Sequence, residues 1–309
     1  MAAEADWVAV DWGTSNLRAW GVGPDGNVRF FRTSGAGMGR LGRDAYPATL
    51  AGLIDDEFAA AGPPVDVLIC GMAGARQGWM EAPYLATPAE LGGLWSAAVM
   101  PPMPGSRFRP RLLPGVCQRA AGAEDVMRGE EIQLLGLSAL LPGFSGLVVM
   151  PGTHCKWVRL AGTRMERFAT AMTGELFEVL RTHSVLRHSV GEEKDEQRNE
   201  GFSAGLHCGV ESPQRLSTSL FRVRAAALLS DMGPSWCAGY LSGLLIGAEI
   251  GGQRAWIGSA EIPLIGGSAL CALYASGLEL VGARTRIIDA TEAVLAGLKA
   301  VRQSQETST

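Results

Sequence analysis

The chain has 309 residues, of which 47% are hydrophobic and 19% are charged, and its formal net charge is -4. This length exceeds what one hydrophobic core usually serves, so two domains are expected, and the apolar content excludes a disordered chain. The slightly acidic balance disfavours nucleic acid and membrane surfaces as partners, because both attract proteins that carry excess positive charge.

The six cysteines occur singly, without a CxxC pair or a short cluster of cysteine and histidine. This spacing argues against a zinc site and is typical of reduced, mostly buried thiols. The first residues, MAAEAD, lack the basic start and apolar core of a signal peptide. The longest apolar run, at 240–250, is interrupted by glycines, Ser242 and Glu249, which favours a buried helix over a membrane span. We therefore expect a cytoplasmic protein.

The first half opens with a predicted antiparallel meander. Apolar runs over Trp7–Val10, Leu17–Val22 and Val28–Arg32 are typical of strands, and Asp25-Gly26 marks a tight turn between the second and the third. Further along we predict a helix over Asp44–Ala61, a strand over Val65–Cys70, a proline- and arginine-rich loop over Met100–Pro114 and a helix over Gly129–Leu141.

The same order of elements restarts at residue 147. Strands are predicted over Leu147–Met150, Lys156–Leu160 and Met165–Ala171, with a helix over Glu175–Leu186. A duplicated meander plus helix predicts two similar α/β domains, 1–145 and 146–309, with a ligand cleft between them. The last helix can pack back on the first domain.

The rest of the second half contains one charged segment, 189–203, which we expect to be a solvated loop or, alternatively, a mobile lid. Its other predicted elements are helices over Pro213–Met232, Trp236–Gly251, Ala269–Gly277 and Thr291–Val301, with Thr291 as N-cap, and strands over Ile262–Ile265 and Arg286–Ile288.

Three predicted strand ends carry glycine and hydroxyl residues: Gly13-Thr14-Ser15, Gly152-Thr153 and Gly266-Gly267-Ser268. Glycine lets a ligand approach the backbone, and consecutive amides in a turn bind phosphate oxygens. One such turn more often only reverses the chain, but three after buried strands favour a nucleotide. Neither GxxxxGK[ST] nor a GxGxxG after the first strand is present, which excludes a P-loop and a Rossmann site.

Asp11 is a lone acid at the end of an apolar strand. A buried, unpaired carboxylate is costly, so a cation should compensate it. Mg²⁺ beside a phosphate chain is one candidate, because Mg²⁺ keeps several waters and takes few carboxylates. The alternative is a structural ion pair with Arg18.

Five segments, DWGTSNLRAW, MRGEEIQLLG, MPGTHCKWV, MTGEL and LSGLLIGAE, together resemble the 2-dehydro-3-deoxygalactonokinase family. These are sugar-acid kinases of the actin/hexokinase/Hsp70-type ATPase superfamily, and the resemblance runs from about Val8 to about Ala300. It implies two ribonuclease-H-like domains around a central cleft, ATP with Mg²⁺, and phosphorylation of 2-dehydro-3-deoxy-D-galactonate at its 6-hydroxyl in galactonate catabolism.

By position, the resemblance implies a first phosphate loop at Gly13, Thr14, Ser15 and Asn16, with Asp11 near the metal. A second loop would comprise Gly152, Thr153 and His154, while Gly266, Gly267 and Ser268 would contact the adenosine. The first domain would bind the sugar and the second the nucleotide. Where the superfamily's second motif often begins with an acid, this chain has Pro151. Lys156 is either a phosphate contact or a lysine on a solvent-facing strand position.

The catalytic base should accept the proton of the sugar hydroxyl. In EDVMRGEEIQLLG the candidates are Asp125, Glu130 and Glu131, with Glu130 preferred. One of the paired glutamates could face the cleft and the other water, and acids at a helix start also occur for purely structural reasons.

The sugar acid needs cationic contacts, for which Arg76 and Arg128 are candidates, with solvated arginines as the alternative. Ser34, Gly35 and Glu175 complete the expected sugar contacts. The gluco isomer of the sugar acid, or another small sugar or sugar acid, stays an alternative substrate for the same fold. A homodimer is also possible. A regulator and a nuclease are disfavoured, because no DNA-binding module and no cluster of carboxylates is present.

Overall fold

The computed structural model describes residues 5–59, 62–191 and 196–306. The chain forms two compact units. Unit 1 comprises Met1–Ser145, Leu160–Arg167 and Ala290–Thr309, and unit 2 comprises Gly146–Arg159 and Phe168–Asp289.

The strands of the described residues are β1 (Trp7–Trp12), β2 (Leu17–Val22), β3 (Val28–Ser34), β4 (Val65–Gly71), β5 (Tyr84–Ala86), β6 (Ala89–Glu90), β7 (Phe108–Leu112), β8 (Gly115–Gln118), β9 (Asp125–Met127), β10 (Ser145–Met150), β11 (Cys155–Ala161), β12 (Arg164–Ala171), β13 (Ile262–Gly266) and β14 (Thr285–Asp289). The α-helices are α1 (Tyr46–Ile54), α2 (Glu130–Leu140), α3 (Thr173–His183), α4 (Glu196–Glu211), α5 (Leu216–Leu220), α6 (Arg222–Leu229), α7 (Pro234–Gly252), α8 (Ser268–Glu279) and α9 (Ala290–Glu306).

The main sheet of unit 1 has the order β3-β2-β1-β4-β7. Its first three strands are antiparallel neighbours, whereas β4 runs parallel to both β1 and β7. The central strands are apolar runs because both faces of the sheet are covered. An aromatic cluster forms much of the cover, with the rings of Trp12 and Tyr46 4.8 Å apart and Trp79 stacked on Tyr46.

Helices α2 and α9 pack backbone against backbone in unit 1. A Cβ added to Gly136 would lie 1.8 Å from the carbonyl oxygen of Ala293, and one added to Gly297 would lie 1.9 Å from that of Ile132. Only glycine permits this approach. This contact with α9 fixes the position of α2, the helix that begins at Glu130.

The second sheet places β14, β13, β10, β11 and β12 in that order. Its β10 and β13 are parallel, as are β13 and β14. The order matches that of unit 1 strand for strand, with β10 in the place of β1. The predicted duplication and the α/β fold of two ribonuclease-H-like sheets are therefore confirmed. Within unit 1, β6 pairs antiparallel with the first residues of β12.

Two glycine stripes hold α4 against α7 in unit 2. Cβ atoms added to Gly201 and Gly205 would lie 2.1 and 2.2 Å from carbonyl oxygens of α7. Those added to Gly239 and Gly243 would lie 2.0 and 2.1 Å from carbonyl oxygens of α4. The helices thus touch through their backbones. In the described residues no helix has both the length and the hydropathy to cross a membrane.

Several predicted boundaries were wrong. Within the segment 189–203, residues 196–203 are helical and not a loop, since α4 begins at Glu196, while 192–195 lie outside the described residues. The predicted loop Met100–Pro114 contains β7, and Pro110 is tolerated there because β7 is an edge strand of its sheet.

Three predicted helices also differ from the structure. The helix predicted over Asp44–Ala61 is confined to α1 with short 3-10 turns on either side, and 60–61 lie outside the described residues. The one predicted over Pro213–Met232 is broken into a 3-10 turn, α5 and α6. Thr291 is not an N-cap, because α9 already begins at Ala290.

Candidate active site

The first glycine turn is closed by backbone hydrogen bonds in unit 1. The amide of Gly13 donates to the carbonyl of Asn16 at 2.8 Å. The segment after β3 packs on the turn, since the amide of Gly39 donates to Thr14 O at 2.9 Å and a Cβ on Gly37 would lie 2.4 Å from that oxygen. Thr14, Ser15 and Asn16 are exposed. The turn is therefore fixed in shape while its hydroxyl and amide groups stay accessible.

The predicted sugar contacts Ser34 and Gly35 lie next to this turn, because Ser34 pairs with Leu17 across β2 and β3. Ser34 Oγ accepts a hydrogen bond from the amide of Ala36 at 3.1 Å. The carbonyl of Ala36 in turn accepts from Trp12 Nε1 at 2.9 Å. Ser34 thus helps to shape the segment that supports the turn.

Asp11 forms the ion pair with Arg18 that the sequence left open as an alternative to metal binding. Arg18 Nη2 donates to Asp11 Oδ2 at 2.8 Å, and its Nη1 donates to Thr291 Oγ1 at 3.1 Å. Burial raises the pKa of Asp11, and the guanidinium of Arg18 opposes that rise. The second carboxylate oxygen, Oδ1, lies 4.0 Å from Cys70 Sγ.

The start of α2 separates the two glutamate candidates. Glu131 is 0% exposed, and its two oxygens accept the amide of Gly129 at 2.7 and 2.9 Å. Burial, followed by repulsion from Glu130, raises the pKa of Glu131 to about 8. Glu130 is half-buried and accepts the amide of Arg128 at 3.1 Å. Neither glutamate is fully solvated, and only Glu130 has an accessible side chain.

The carboxyl ends of β1 and β4 bring these acids together. Asp11 pairs with Cys70 in the parallel register. Burial raises the pKa of the Cys70 thiol, and the negative charges of Asp11 and Glu131 raise it further. Gly129, at φ 110°, packs against Gly71, at φ 87°. Both glycines use the left-handed region, which lets α2 begin directly above the strand end. Asp125 lies apart, in the small sheet of β5, β8 and β9.

The two arginine candidates have opposite environments. The Arg76 side chain is 82% exposed, and its Nε lies 4.0 Å from Glu81 Oε2. This exposure agrees with the alternative in which Arg76 is a solvated arginine. Arg128 is 9% exposed, donates from Nη2 to the carbonyl of Ala82 at 2.7 Å and lies 4.3 Å from the ring centroid of Tyr84. Its Nε and Nη1 have no hydrogen-bond partner among the described residues. The solvated alternative was therefore wrong for Arg128.

The second glycine turn lies in unit 2 between the start of α3 and the end of β13. The amide of Glu175 donates to the carbonyl of Thr153 at 3.0 Å, and a Cβ on Gly174 would lie 2.6 Å from Gly152 O. A Cβ on Gly266 would lie 2.9 Å from the carbonyl of Pro151. His154 Nε2 lies 2.5 Å from Glu175 Oε2. Glu175, a predicted sugar contact, therefore pairs with His154, a predicted phosphate contact.

Lys156 is 4% exposed, and its Nζ donates to Thr170 Oγ1 at 2.6 Å. The solvent-facing alternative for this lysine was therefore wrong. Its ammonium group is already engaged within unit 2.

A pocket of about 200 Å³ opens beside the second turn, and it includes Gly152 and Gly174 in its lining. Its apolar walls are Phe177, Leu245, Ile246, Leu270 and Leu273. Its polar lining is Thr173, Arg198, Ser242 and Tyr274. Gly267 precedes α8, the helix that supplies Leu270 and Leu273. Apolar walls next to a glycine turn of this kind suit a nucleoside. Sequence reasoning missed these walls, although the segment LSGLLIGAE contains two of them, Leu245 and Ile246.

Known proteins resemble this chain over nearly its whole length. Residues 11–301 match the model of the family described as 2-keto-3-deoxy-galactonokinase. The chain is 42% identical over 308 residues to a protein of Rhizobium meliloti (strain 1021) named "Probable 2-dehydro-3-deoxygalactonokinase DgoK1", covering 98% of this chain and 99% of that one. It is 36% identical to the 2-dehydro-3-deoxygalactonokinase of Escherichia coli (strain K12), covering 96% and 97% of the two chains.

A crystal structure from Sinorhizobium meliloti, which carries the same kinase designation, has a TM-score of 0.90 against this chain. The two are 42% identical, and the match covers 97% of this chain and 99% of the other. The agreement therefore extends from the sequence to the fold. This chain belongs to the 2-keto-3-deoxy-galactonokinase family.

Proposed function

We propose that this protein acts in the cytoplasm and transfers the γ-phosphate of ATP to the 6-hydroxyl of 2-dehydro-3-deoxy-D-galactonate. The observation that carries the proposal is the placement of Asp11 and the start of α2 at the ends of β1 and β4, beside the fixed turn of Gly13. Phosphoryl transfer depends mainly on positioning and charge stabilisation, and this arrangement offers both.

The nucleotide binds mainly through the second half of the chain in this proposal. The base and ribose occupy the pocket beside Gly152 and Gly174, next to Gly266, Gly267 and Ser268. The amides and hydroxyls of the two glycine turns, at 13–16 and 152–154, bind phosphate oxygens. The first half, 1–145, supplies the sugar contacts.

Asp11 fits Mg²⁺ as a ligand that acts through water. Among the described residues no group of three or more histidine, cysteine, aspartate or glutamate side chains could form an all-protein metal cage. Mg²⁺ needs none, since it binds through one or two carboxylates together with substrate phosphates and water. Arg18 holds Oδ2 of Asp11, which leaves Oδ1 for this role. Bound there, the ion would neutralise charge on the phosphates.

Glu130 is the proposed base. Its half-buried carboxylate takes the proton of the 6-hydroxyl as the new O–P bond forms and the bond from the γ-phosphorus to the bridging oxygen of ADP breaks. Glu131 cannot fill this role without leaving its buried site at Gly129. It instead holds the start of α2 in place.

Arg128 is the proposed contact for the substrate carboxylate. A buried guanidinium in which two nitrogens, Nε and Nη1, lack partners among the described residues favours an anionic ligand. Stacking on Tyr84 fixes the plane of the guanidinium, which suits a planar carboxylate. This residue would distinguish a sugar acid from a neutral sugar.

The test is a coupled assay of ADP release with 2-dehydro-3-deoxy-D-galactonate, its gluco isomer and a neutral hexose as acceptors. We expect turnover with the galacto acid, a lower kcat/KM with the gluco acid and none with the hexose. Absence of turnover with both acids, in enzyme that binds ATP, would overturn the proposed reaction.

A further inference from the structure

Glu249 is the single charged residue of α7, and only 9% of it is exposed. None of the roles assigned above involves it. A buried carboxylate is costly unless donors surround it. The cost implies that Glu249 is held by specific partners.

Three donors from three elements converge on this carboxylate. Trp157 Nε1, from β11, donates to Oε1 at 2.6 Å. Tyr274 OH, from α8, donates to Oε2 at 2.6 Å, and Thr173 Oγ1, from the first residue of α3, donates to the same oxygen. Hydrogen bonds to a charged acceptor are stronger than neutral ones, so each contact constrains its donor.

Two of the three donors lead directly to the nucleotide pocket. Thr173 and Tyr274 both line it. Thr173 also begins the helix whose next residues, Gly174 and Glu175, contact the turn at Gly152 and Thr153. The carboxylate of Glu249 therefore connects a wall of the pocket with the turn beside it.

The backbone of Glu249 is itself fixed. The glycine stripe of α7, which includes Gly243 and Gly247, lies against the carbonyl oxygens of Phe202 and Leu206 in α4. Close backbone packing of this kind leaves α7 little freedom to shift. The carboxylate of Glu249 thus extends from a helix whose backbone is held by α4 toward the side chains of Thr173 and Tyr274.

We propose that Glu249 is a positioning residue for nucleotide binding, which acts by orienting Thr173 and Tyr274. The inference rests on the proposed binding of ATP in the pocket of unit 2. It makes Glu249 a determinant of nucleotide affinity although other side chains contact the ligand.

The test compares E249Q with the wild-type protein by calorimetric binding of ADP and by steady-state kinetics. Glutamine keeps the size of the side chain but replaces one acceptor oxygen with a donor group, so at least one of the three donors loses its acceptor. We expect the Kd for ADP and the KM for ATP to rise about tenfold, with the KM for the sugar acid changed less than about twofold.

W157F is the matched control, because it removes the donor that does not line the pocket. We expect W157F to lower Tm but to leave the Kd for ADP within about twofold of wild type. If the substitutions instead caused a general loss of structure, the KM for ATP and the KM for the sugar acid would rise together in both E249Q and W157F, which would contradict the proposed role of Glu249.

A second pair keeps the proposal testable if E249Q does not fold. T173S retains the hydroxyl that donates to Glu249, and T173V removes it with little change in size. We expect T173V to weaken ADP binding about tenfold and T173S to restore it. Wild-type ADP binding in E249Q or in T173V would overturn the role of Glu249. Absence of ADP binding in the wild-type protein would instead contradict the proposed function.

Discussion

Asp11 and Arg18 are directly opposite each other on the antiparallel strands β1 and β2, and their side chains form an ion pair at 2.8 Å. The pair lies at the strand end where the first glycine turn begins. It therefore ties the ionisation of the proposed metal ligand to a neighbouring strand.

Replacing Arg18 should shift the acid limb of the pH–rate profile. Arg18 opposes the rise that burial causes in the pKa of Asp11, so its removal in R18M raises that pKa further. Protonated Asp11 cannot bind a cation. As the pH is lowered, R18M should therefore lose activity at a higher pH than the wild-type protein does. The measurement is kcat/KM from pH 5 to 9. R18K, which keeps the charge, should shift less; identical profiles for R18M and wild type would contradict the prediction.

Replacing Glu130 should impair the chemical step. E130Q cannot accept the hydroxyl proton, so kcat should fall about a hundredfold or more while nucleotide affinity is kept. Single-turnover kinetics and ADP binding measure the two quantities. E124Q, on the exposed segment before β9, is the control and should be unaffected. Normal turnover in E130Q would show that Glu130 is not the base.

Glu131 should make stability depend on pH. Its pKa is raised to about 8 in the folded protein from the ordinary 4.5. The folded state therefore holds a proton that the unfolded state releases, and the free energy of unfolding should fall as the pH rises between these values. Denaturation in urea at several pH values measures this fall. It should be smaller in E131Q, which does not titrate, and equal slopes in the two proteins would refute the assignment.

Gly37 and Gly42 offer a matched pair of alanine substitutions. Both have an extended backbone, with φ of -71° and -75°. A Cβ on Gly37 would meet the backbone of Thr14 and Ser15 at 2.4 Å, whereas one on Gly42 meets nothing within 4 Å. We expect G37A to lower the free energy of unfolding by about 1–3 kcal/mol and to raise the KM for ATP, because the first turn must move. G42A should leave both unchanged, and similar behaviour of the two variants would count against the packing argument.

Arg128 should determine recognition of the acid group. R128M should raise the KM for the sugar acid roughly thirtyfold, because a charge-assisted pair is lost, and leave the KM for ATP unchanged. R128K should recover only part of the affinity, since lysine lacks the planar fork. R76M, at an exposed position, is the comparison and should change neither KM. Parallel rises in both KM values for R128M would indicate general damage to the fold.

The central strands could be predicted from the sequence because they are apolar runs with turn residues at their ends. The repeat of this pattern was enough to predict two similar sheets, and their matching strand orders confirm it. β7 was missed because FRPRL shows basic residues and proline, although Phe108, Pro110 and Leu112 form its buried side. Amphipathic edge strands give a weaker signal than buried ones.

Helix α4 was missed for a different physical reason. Much of its buried face consists of glycines, Gly201, Gly205 and Gly209, so the usual periodicity of large apolar residues is absent. The candidate site was predicted as a set of turns and acids. The difference between Glu130 and Glu131, the burial of Arg128 and the bond from Lys156 to Thr170 depend on three-dimensional packing that spacing alone does not encode.

The contact between α2 and α9 also constrains the order in which the protein can be completed during synthesis. Gly136 leaves the ribosome long before Ala293 and Gly297, its counterparts in α9. The helix that begins at Glu130 must therefore wait for the last helix before its backbone contact can form. Unit 2 can gather its own strands and helices during that interval, since its chain lies between the parts of unit 1. The proposed catalytic helix therefore gains this backbone contact only after α9 has been synthesised, and unit 2 precedes α9 in the chain.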